Sequence, residues 1–318
     1  MLFFSLGFYL SIYFAVKLYI FSAFILLFQI LKPHSRPKSL RNGNNLVAIV
    51  TGGAKGIGLS VVKKLARLNV HVIIASRCKK EAIHAIETIK SQNRKAKVEY
   101  LMLDLSSVKS IKNFVAEFKK RELQLNILIN NAGVMLTSYT NTECGLEEEI
   151  MESGEIGRQS RIVNVSSHAH YATYPFSVDS MIKRSYFSSH RAYCESKLCQ
   201  IMFGNMLHRQ LMANGSLVTV NSCHPGVVNT DLYENLHTTT SWFLNKLRIL
   251  FKTADQGADT IIHSVMSTEI EGTGGLYLSN CKRFHSLTVC NNRKEQEKLW
   301  DFTMSTLKTM LEKVNEKF

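Results

Sequence analysis

No two cysteines of this chain sit at a metal-site or redox spacing. The seven (Cys78, Cys144, Cys194, Cys199, Cys223, Cys281 and Cys290) are odd in number and scattered. That argues against a disulfide framework, a zinc centre or a dithiol motif, and it suits free thiols in a reducing compartment. The chain also has no zinc-finger spacing, no helix-turn-helix signal and no arginine-rich arm. Its net charge of +14 therefore gives no reason to expect nucleic acid, and it suits an anionic lipid or a phosphorylated cofactor instead. Internal repeats and low-complexity tracts are absent, which leaves out solenoids and biased tails.

Acidic residues are missing from residues 1–43, where Lys17, Lys32, Arg36, Lys38 and Arg41 supply +5 of the total. Residues 2–31 are almost wholly apolar, interrupted by Lys17. That exceeds the ~20 residues needed to cross a bilayer core. A basic start and a small-residue cleavage site are both lacking, so a retained anchor over 1–31 is expected rather than a removed signal. A basic linker over 32–43, marked by Pro33 and Pro37, follows it. By the positive-inside tendency it places the rest of the chain, 44–318, on the cytosolic side. Lys17 is awkward at mid-membrane; it snorkels, or it divides the segment into two arms of a hairpin in one leaflet.

Apolar runs alternate with helical patterns after Asn44. Strands are expected over 45–50, 71–75, 98–103, 125–130, 161–166, 217–223 and 276–278. Helices are expected over 57–69, 79–91, 107–120, 190–213 and 293–313. Such alternation means an α/β fold, a doubly wound parallel sheet of Rossmann type covered on both faces. About 275 residues suit one such domain.

Thr51-Gly52-Gly53-Ala54-Lys55-Gly56-Ile57-Gly58 follows the first run and opens a helix. Strand, glycine turn and helix start together make a phosphate site, because glycine backbone lets a pyrophosphate approach free helix N–H groups. A turn that merely needs glycine is the plainer alternative. Asp104, ending the third run, is placed to accept from an adenine amine or to cap the next helix. Asn130-Asn131-Ala132-Gly133 is a polar turn at the carboxyl end of a strand, where ligands of open α/β sheets bind.

Tyr193-Cys194-Glu195-Ser196-Lys197 stacks a phenol and an ammonium one helical turn apart. The ammonium favours the phenolate, so the tyrosine exchanges a proton near neutral pH. Ser167, ending the strand-like run from Arg161, is the candidate hydroxyl, with Ser166 as its alternative. His168 and His170 follow directly, and they read as solvated loop residues more readily than as the pocket mouth.

These residues, in this order, resemble the classical short-chain dehydrogenase/reductase family from about Asn44 to the C-terminus, within its retinol-dehydrogenase-like, membrane-anchored group. A narrower likeness to its polyprenol-dehydrogenase-like branch is carried by Asn131-Ala132-Gly133-Val134-Met135, by His224-Pro225-Gly226-Val227-Val228-Asn229-Thr230-Asp231-Leu232-Tyr233 and by Glu269-Ile270-Glu271-Gly272-Thr273-Gly274-Gly275-Leu276-Tyr277-Leu278. The resemblance implies an NAD(P)-dependent oxidoreductase. Tyr193 would exchange the proton on the substrate oxygen, Lys197 would lower its pKa and hold the nicotinamide ribose, and Ser167 would bind the reacting oxygen. Pro225, Gly226 and Thr230 would flank the nicotinamide. It implies a homodimer and the endoplasmic reticulum as further expectations.

An acidic residue at the end of the second strand would repel a 2′-phosphate. Here Ser76 and Arg77 stand instead, with Lys55 in the glycine turn, so NADP(H) is expected over NAD(H), unless those cations are ordinary solvated charge. The stretch 232–251, with Trp242, Phe243, Leu244, Leu247, Ile249, Leu250 and Phe251 and the cations Lys246, Arg248 and Lys252 among and just after them, reads as a lid suited to a membrane surface, or as a core helix. An apolar lipid alcohol or carbonyl is the expected substrate: polyprenoid first, retinoid or steroid as alternatives.

Family members carry a long helix with Asn-x-x-Gly between Gly133 and Arg161. This chain has only Asn141 there, and roughly eighteen residues are missing by comparison with the family pattern. A helix over 142–152 would reach only ~16 Å. Two expectations follow: lost covering of the sheet, and loss of the relay asparagine. A second reading stands beside the enzyme, a shortened, catalytically impaired product acting as a membrane-bound cofactor-binding or interaction protein.

Overall fold

The structure, a computed structural model, describes residues 2–133, 158–183, 188–230 and 248–315. In chain order the described strands are β1 (Val47–Thr51), β2 (His71–Ser76), β3 (Val98–Met102), β4 (Ile127–Asn130), β5 (Ser160–Val165), β6 (Val218–His224), β7 (Tyr277–Ser279) and β8 (Lys282–Phe284). The helices are α1 (Leu2–Leu31), α2 (Gly56–Arg67), α3 (Lys79–Gln92), α4 (Val108–Lys119), α5 (Val178–Ile182), α6 (Ser189–Ala213), α7 (Ala254–Met266) and α8 (Arg293–Asn315). Strands pair in the order β3-β2-β1-β4-β5-β6-β7-β8. Every pair is parallel except β7–β8, which is antiparallel. The strand order reverses between β1 and β4, and a crevice at the carboxyl ends of that pair is where such sheets bind ligands.

The sheet is dressed on both faces. Ala48, Val50, Ile74 and Val163 pack with Val62 and Leu65 of α2, Ala82 and Ile89 of α3 and Ile261 and Val265 of α7. On the other face, Ile49, Leu128 and Ile162 pack with Phe114 and Phe118 of α4 and Leu207 and Leu211 of α6. Strands buried on both faces read as continuous apolar runs, which is why β1, β2 and β4 were visible in the chain.

Each expected element is present, with its ends displaced by at most two residues. The crossover from β4 to β5, with the shortened helix over 142–152 and Asn141, lies outside the described residues. The strand residues flanking it are buried all the same: Leu128 and Ile129 are fully covered, and Ile162 nearly so.

Three elements were not expected. α7 is buried from Gly257 to Met266, its polar Asp259, Thr260, His263 and Ser264 included, so its polar face is covered by protein rather than by solvent. Its start was marked nonetheless: Thr253 Oγ1 accepts from Gln256 N at 3.1 Å, and Gln256 Oε1 accepts from Thr253 N at 3.0 Å, a capping box. α5 and β8 are five and three residues long, too short for periodicity to register.

The segment after α1 is fastened rather than free. Asn280 Nδ2 donates to Pro33 O at 3.0 Å, and Ser35 N donates to Asn280 Oδ1 at 3.1 Å. His34 Nε2 meets Asp259 Oδ2 at 2.8 Å. Arg41 Nη1 donates to Gln159 O at 2.8 Å. Arg41 therefore serves the fold, while Lys32, Arg36 and Lys38 stay exposed.

Candidate active site

The cofactor end of the crevice begins where β1 stops. Gly52 and Gly56 hold φ of +64° and +57°, the left-handed region that glycine enters without strain. A Cβ on Gly58 would stand 2.3 Å from Gly52 O and 2.6 Å from Asn131 Nδ2, so the turn closes only on glycine. Lys55 caps α2 with no side-chain bond to the helix, and the first turn carries no acid. The leading N–H groups of α2 thus face the crevice with the positive end of the helix dipole, a fit for a dinucleotide pyrophosphate.

Thr51 ties the two turns together. Its Oγ1 accepts from Asn131 N at 3.0 Å and from Ala132 N at 2.9 Å. Asn131 Nδ2 returns a bond to Thr51 O at 2.9 Å. The third expected segment joins the same cradle: a Cβ on Gly56 would stand 3.6 Å from Thr230 Cγ2. Pro225 leads into Gly226, at φ +104°. Lys252 then pins this segment, donating its N–H to Val227 O at 2.8 Å and accepting from Asn229 N at 2.9 Å. Gly257 lets Val228 and Ile57 close in on α7.

At the carboxyl end of β2, Arg77 is exposed, and the Lys55 side chain is 63% exposed, 4.0 Å from the Glu81 carboxylate. Both cations stand in solvent at the ends of β2 and the glycine turn. Asp104 Oδ1 accepts from Ser106 N at 3.0 Å and from Ser106 Oγ at 2.7 Å. These bonds, and after them the charge of Arg77, hold its carboxyl below the usual range. The capping alternative for Asp104 is corrected: Ser107 caps α4, accepting from Ser110 N.

The expected catalytic residues lie around the end of β5. α6 sets Tyr193 and Lys197 on one face, with Lys197 Nζ 5.9 Å from the Tyr193 ring centroid. The ammonium is buried and donates to Val165 O at 2.9 Å and Gln200 Oε1 at 3.1 Å. Burial pushes its pKa down to about 8. The Asn-Asn-Ala-Gly turn passes close by, since a Cβ on Gly133 would lie 3.6 Å from Nζ. Ser166 Oγ donates to Lys197 O at 2.7 Å, so its hydroxyl is committed to α6. Ser167 Oγ accepts from Ala169 N at 3.1 Å, which leaves its O–H to donate. On this geometry Ser167, rather than Ser166, is the serine with a hydroxyl proton to spare. Ser167 heads the 3₁₀ turn His168–Thr173, whose Ala169 and Ala172 pack with Cys194 and Tyr193.

His168 and His170 depart from expectation. Both are buried, not solvated, at 5% and 0% exposure. His168 stacks on His224 with centroids 3.9 Å apart. His168 N donates to His224 Nδ1 at 3.4 Å, and His170 Nδ1 lies 2.7 Å from Ser167 O. Burial is the first cause holding all three neutral, with His168 at about 3, His170 at about 4 and His224 well below its usual value. Thr51, Gln200 and His224 thus join the candidate site by contact with Asn131, Lys197 and His168. Gln200 had a legible signal, three residues after Lys197 on the same helical face. The expected lid lies outside the described residues except for its end, where Ile249 in the turn Arg248–Leu250 is 89% exposed.

The comparisons with known proteins agree with this geometry. A family model for short chain dehydrogenases matches residues 46–241. The chain belongs to the short-chain dehydrogenase family. It is 40% identical over 313 residues to polyprenol dehydrogenase of Homo sapiens, covering 90% of this chain and 93% of that one. It is 35% identical to retinol dehydrogenase 12 of Homo sapiens, covering 82% and 86%. Among solved structures, an uncharacterised Mycobacterium paratuberculosis protein shares the fold at TM-score 0.62 and 24% identity, covering 85% and 96%. A Pseudomonas aeruginosa RhlG complex with NADP shares it at TM-score 0.56 and 17% identity, covering 74% and 94%.

Proposed function

We propose that this chain is a membrane-associated, NADP(H)-dependent oxidoreductase that interconverts a lipid alcohol and its aldehyde or ketone, with a polyprenoid as the favoured substrate and a retinoid or steroid as alternatives. The observation that carries the reading is the buried Lys197 ammonium beside Tyr193, against the Gly133 turn and the Ser167 strand end. Similarity to polyprenol dehydrogenase over nine-tenths of the chain favours the polyprenoid. The endoplasmic reticulum, with residues 44–318 facing the cytosol, is the proposed location.

In the reductive direction Tyr193 gives its phenolic proton to the carbonyl oxygen, and Lys197 stabilises the phenolate left behind. Ser167 donates a hydrogen bond to the same oxygen, which gathers charge as the bond order falls. A bound nicotinamide dinucleotide supplies the hydride. Gln200 and Val165 O hold Lys197 at its station. Thr51 and Asn131 hold the glycine turn against the turn 130–133, and the uncapped start of α2 receives the pyrophosphate.

Arg77 gives the 2′-phosphate a partner. Arg77→Asp is expected to raise the NADPH dissociation constant by roughly 10- to 100-fold, the ~1.4–3 kcal/mol of a charge-assisted hydrogen bond, while leaving NADH within a few-fold. Fluorescence titration of both cofactors on both proteins checks it. An unchanged NADPH preference defeats the assignment. Turnover of a short polyprenal, retinal and a ketosteroid in mixed micelles then ranks the substrates, and a preference for the ketosteroid would displace the polyprenoid.

A further inference from the structure

α1 is long and apolar enough to cross a membrane over Tyr9–Leu31. It is nonetheless laid along the catalytic unit. One seam of the helix faces inward: Ser11, Phe14, Leu18, Phe21, Ile25 and Gln29 recur at spacings of three and four residues, and none is exposed. Ser11 Oγ donates to Ser188 Oγ at 3.2 Å, at the cap of α6. The Arg191 guanidinium lies over the Phe14 ring at 4.7 Å. Leu18 and Phe21 join the cluster that holds Ala169, Ala172, Cys194 and Tyr193. Near the other end Gln29 Oε1 accepts from Val227 N at 2.8 Å, and its Nε2 donates to Val227 O at 3.3 Å.

Ser11 and Gln29 lie on this seam. Lys17, on its flank and partly exposed, donates to Tyr174 O. A lysine in mid-span is costly in hydrocarbon and unremarkable against protein. The opposite face is an unbroken apolar stripe of Tyr9, Tyr13, Val16, Ile20, Phe24, Leu27 and Leu31, all between 50% and 73% exposed. The exposed Lys32, Arg36 and Lys38 stand just beyond it, and residues 1–43 hold no acid to oppose them. The helix end is fixed as well, because Asn280 clamps Pro33 two residues after α1 stops.

We propose that α1 is an in-plane membrane helix: its inner seam stays docked on the catalytic unit, its outer stripe sinks into one leaflet, and the basic residues beyond it meet anionic headgroups. A spanning helix would have to pull Ser11, Lys17 and Leu18 away from α6 and the Ser167 turn. An apolar helix with no polar face suits this placement, since protein covers one side and acyl chains the other. Tyr193, in one cluster with Leu18 and Phe21, then sits beside α1 at the level of the lipid tails. This deepens the membrane-associated reading above and rests on it.

The test uses full-length Ser11→Cys/Ser188→Cys protein in sealed phosphatidylcholine/phosphatidylserine vesicles, with a protease-cleavable tag at each end. The expected result is a disulfide between the two engineered positions, read by peptide mass spectrometry, and equal cleavage of both tags from outside on vesicles presenting the catalytic unit outward. Wild-type sequence carrying the same tags repeats the cleavage measurement, so a folding failure of the double variant does not decide the matter. Protection of the N-terminal tag in the wild type overturns the proposal, as does absence of the disulfide in a double variant that still binds NADPH. Loss of lipid-alcohol turnover with both results intact counts against the enzyme reading alone.

Discussion

Tyr193→Phe is expected to lower kcat by about 10²–10⁴, the worth of a positioned general acid, with the NADPH dissociation constant changed by less than about threefold. The substitution removes one hydroxyl and leaves the ring, which packs with the Ala169–Ala172 turn, in place. Lys197 keeps its bonds to Val165 O and Gln200, so the ribose side of the cleft is undisturbed. Stopped-flow turnover of a short polyprenal, paired with cofactor titration, separates the two effects. Turnover within a few-fold of wild type would mean that another group supplies the proton. The pH profile carries a second mark of the same pair. Lys197 titrates at about 8 in the folded protein. Its ammonium is present below that value, so support for the phenolate is expected to fade as pH rises through 8.

Acid is expected to destabilise the protein steeply from pH 7 toward pH 5, well before carboxylates titrate. His168, His170 and His224 are neutral in the fold, with pKa values lowered chiefly by burial. Lys252, Tyr171 and Tyr277 complete their surroundings, and the Lys252 charge further opposes protonation of His168 and His224. The unfolded chain protonates each ring near 6.5, whereas the native state stays neutral to far lower pH. Between those values the unfolded state binds more protons, so stability rises with pH there and falls on acidification. Each ring accounts for up to ~2 kcal/mol between pH 7 and pH 5, and three together are a large share of ordinary domain stability. Urea midpoints across that window measure it. His224→Asn is expected to flatten the slope by about one proton; a midpoint flat from pH 7 to pH 5 in the wild type contradicts the buried trio.

The fold was largely legible because its strands are doubly buried. β1, β2 and β4 appear as apolar runs whatever their neighbours do, and glycine marks where β1 stops and asparagine where β4 does. The site was legible where chemistry forces a local pattern: Gly52, Gly56 and Gly58 by backbone conformation and close approach, and Tyr193 and Lys197 by helical spacing. It was not legible where a residue's role depends on a distant partner. Thr51 joins two turns eighty residues apart, and His224 matters through a stack with His168 across two strand ends. The same reason hid the burial of His168 and His170, since loop polarity says nothing about what packs over it. Lys17 looked like a defect of a spanning helix because only the folded domain reveals its carbonyl partner.

Tyr193, Lys197 and Ser167 are proposed to handle the proton and the oxygen while a lipid alcohol and its carbonyl compound interconvert by hydride exchange with a nicotinamide held at the glycine cradle. The most direct measurement supplies 4-deuterated NADPH, of each stereochemistry in turn, with a short polyprenal in micelles and analyses the alcohol by mass spectrometry. The account predicts one deuterium on the carbinol carbon from one stereoisomer of the cofactor and none from the other. Alcohol formed without label from either, or no alcohol from a protein that binds NADPH, would contradict it.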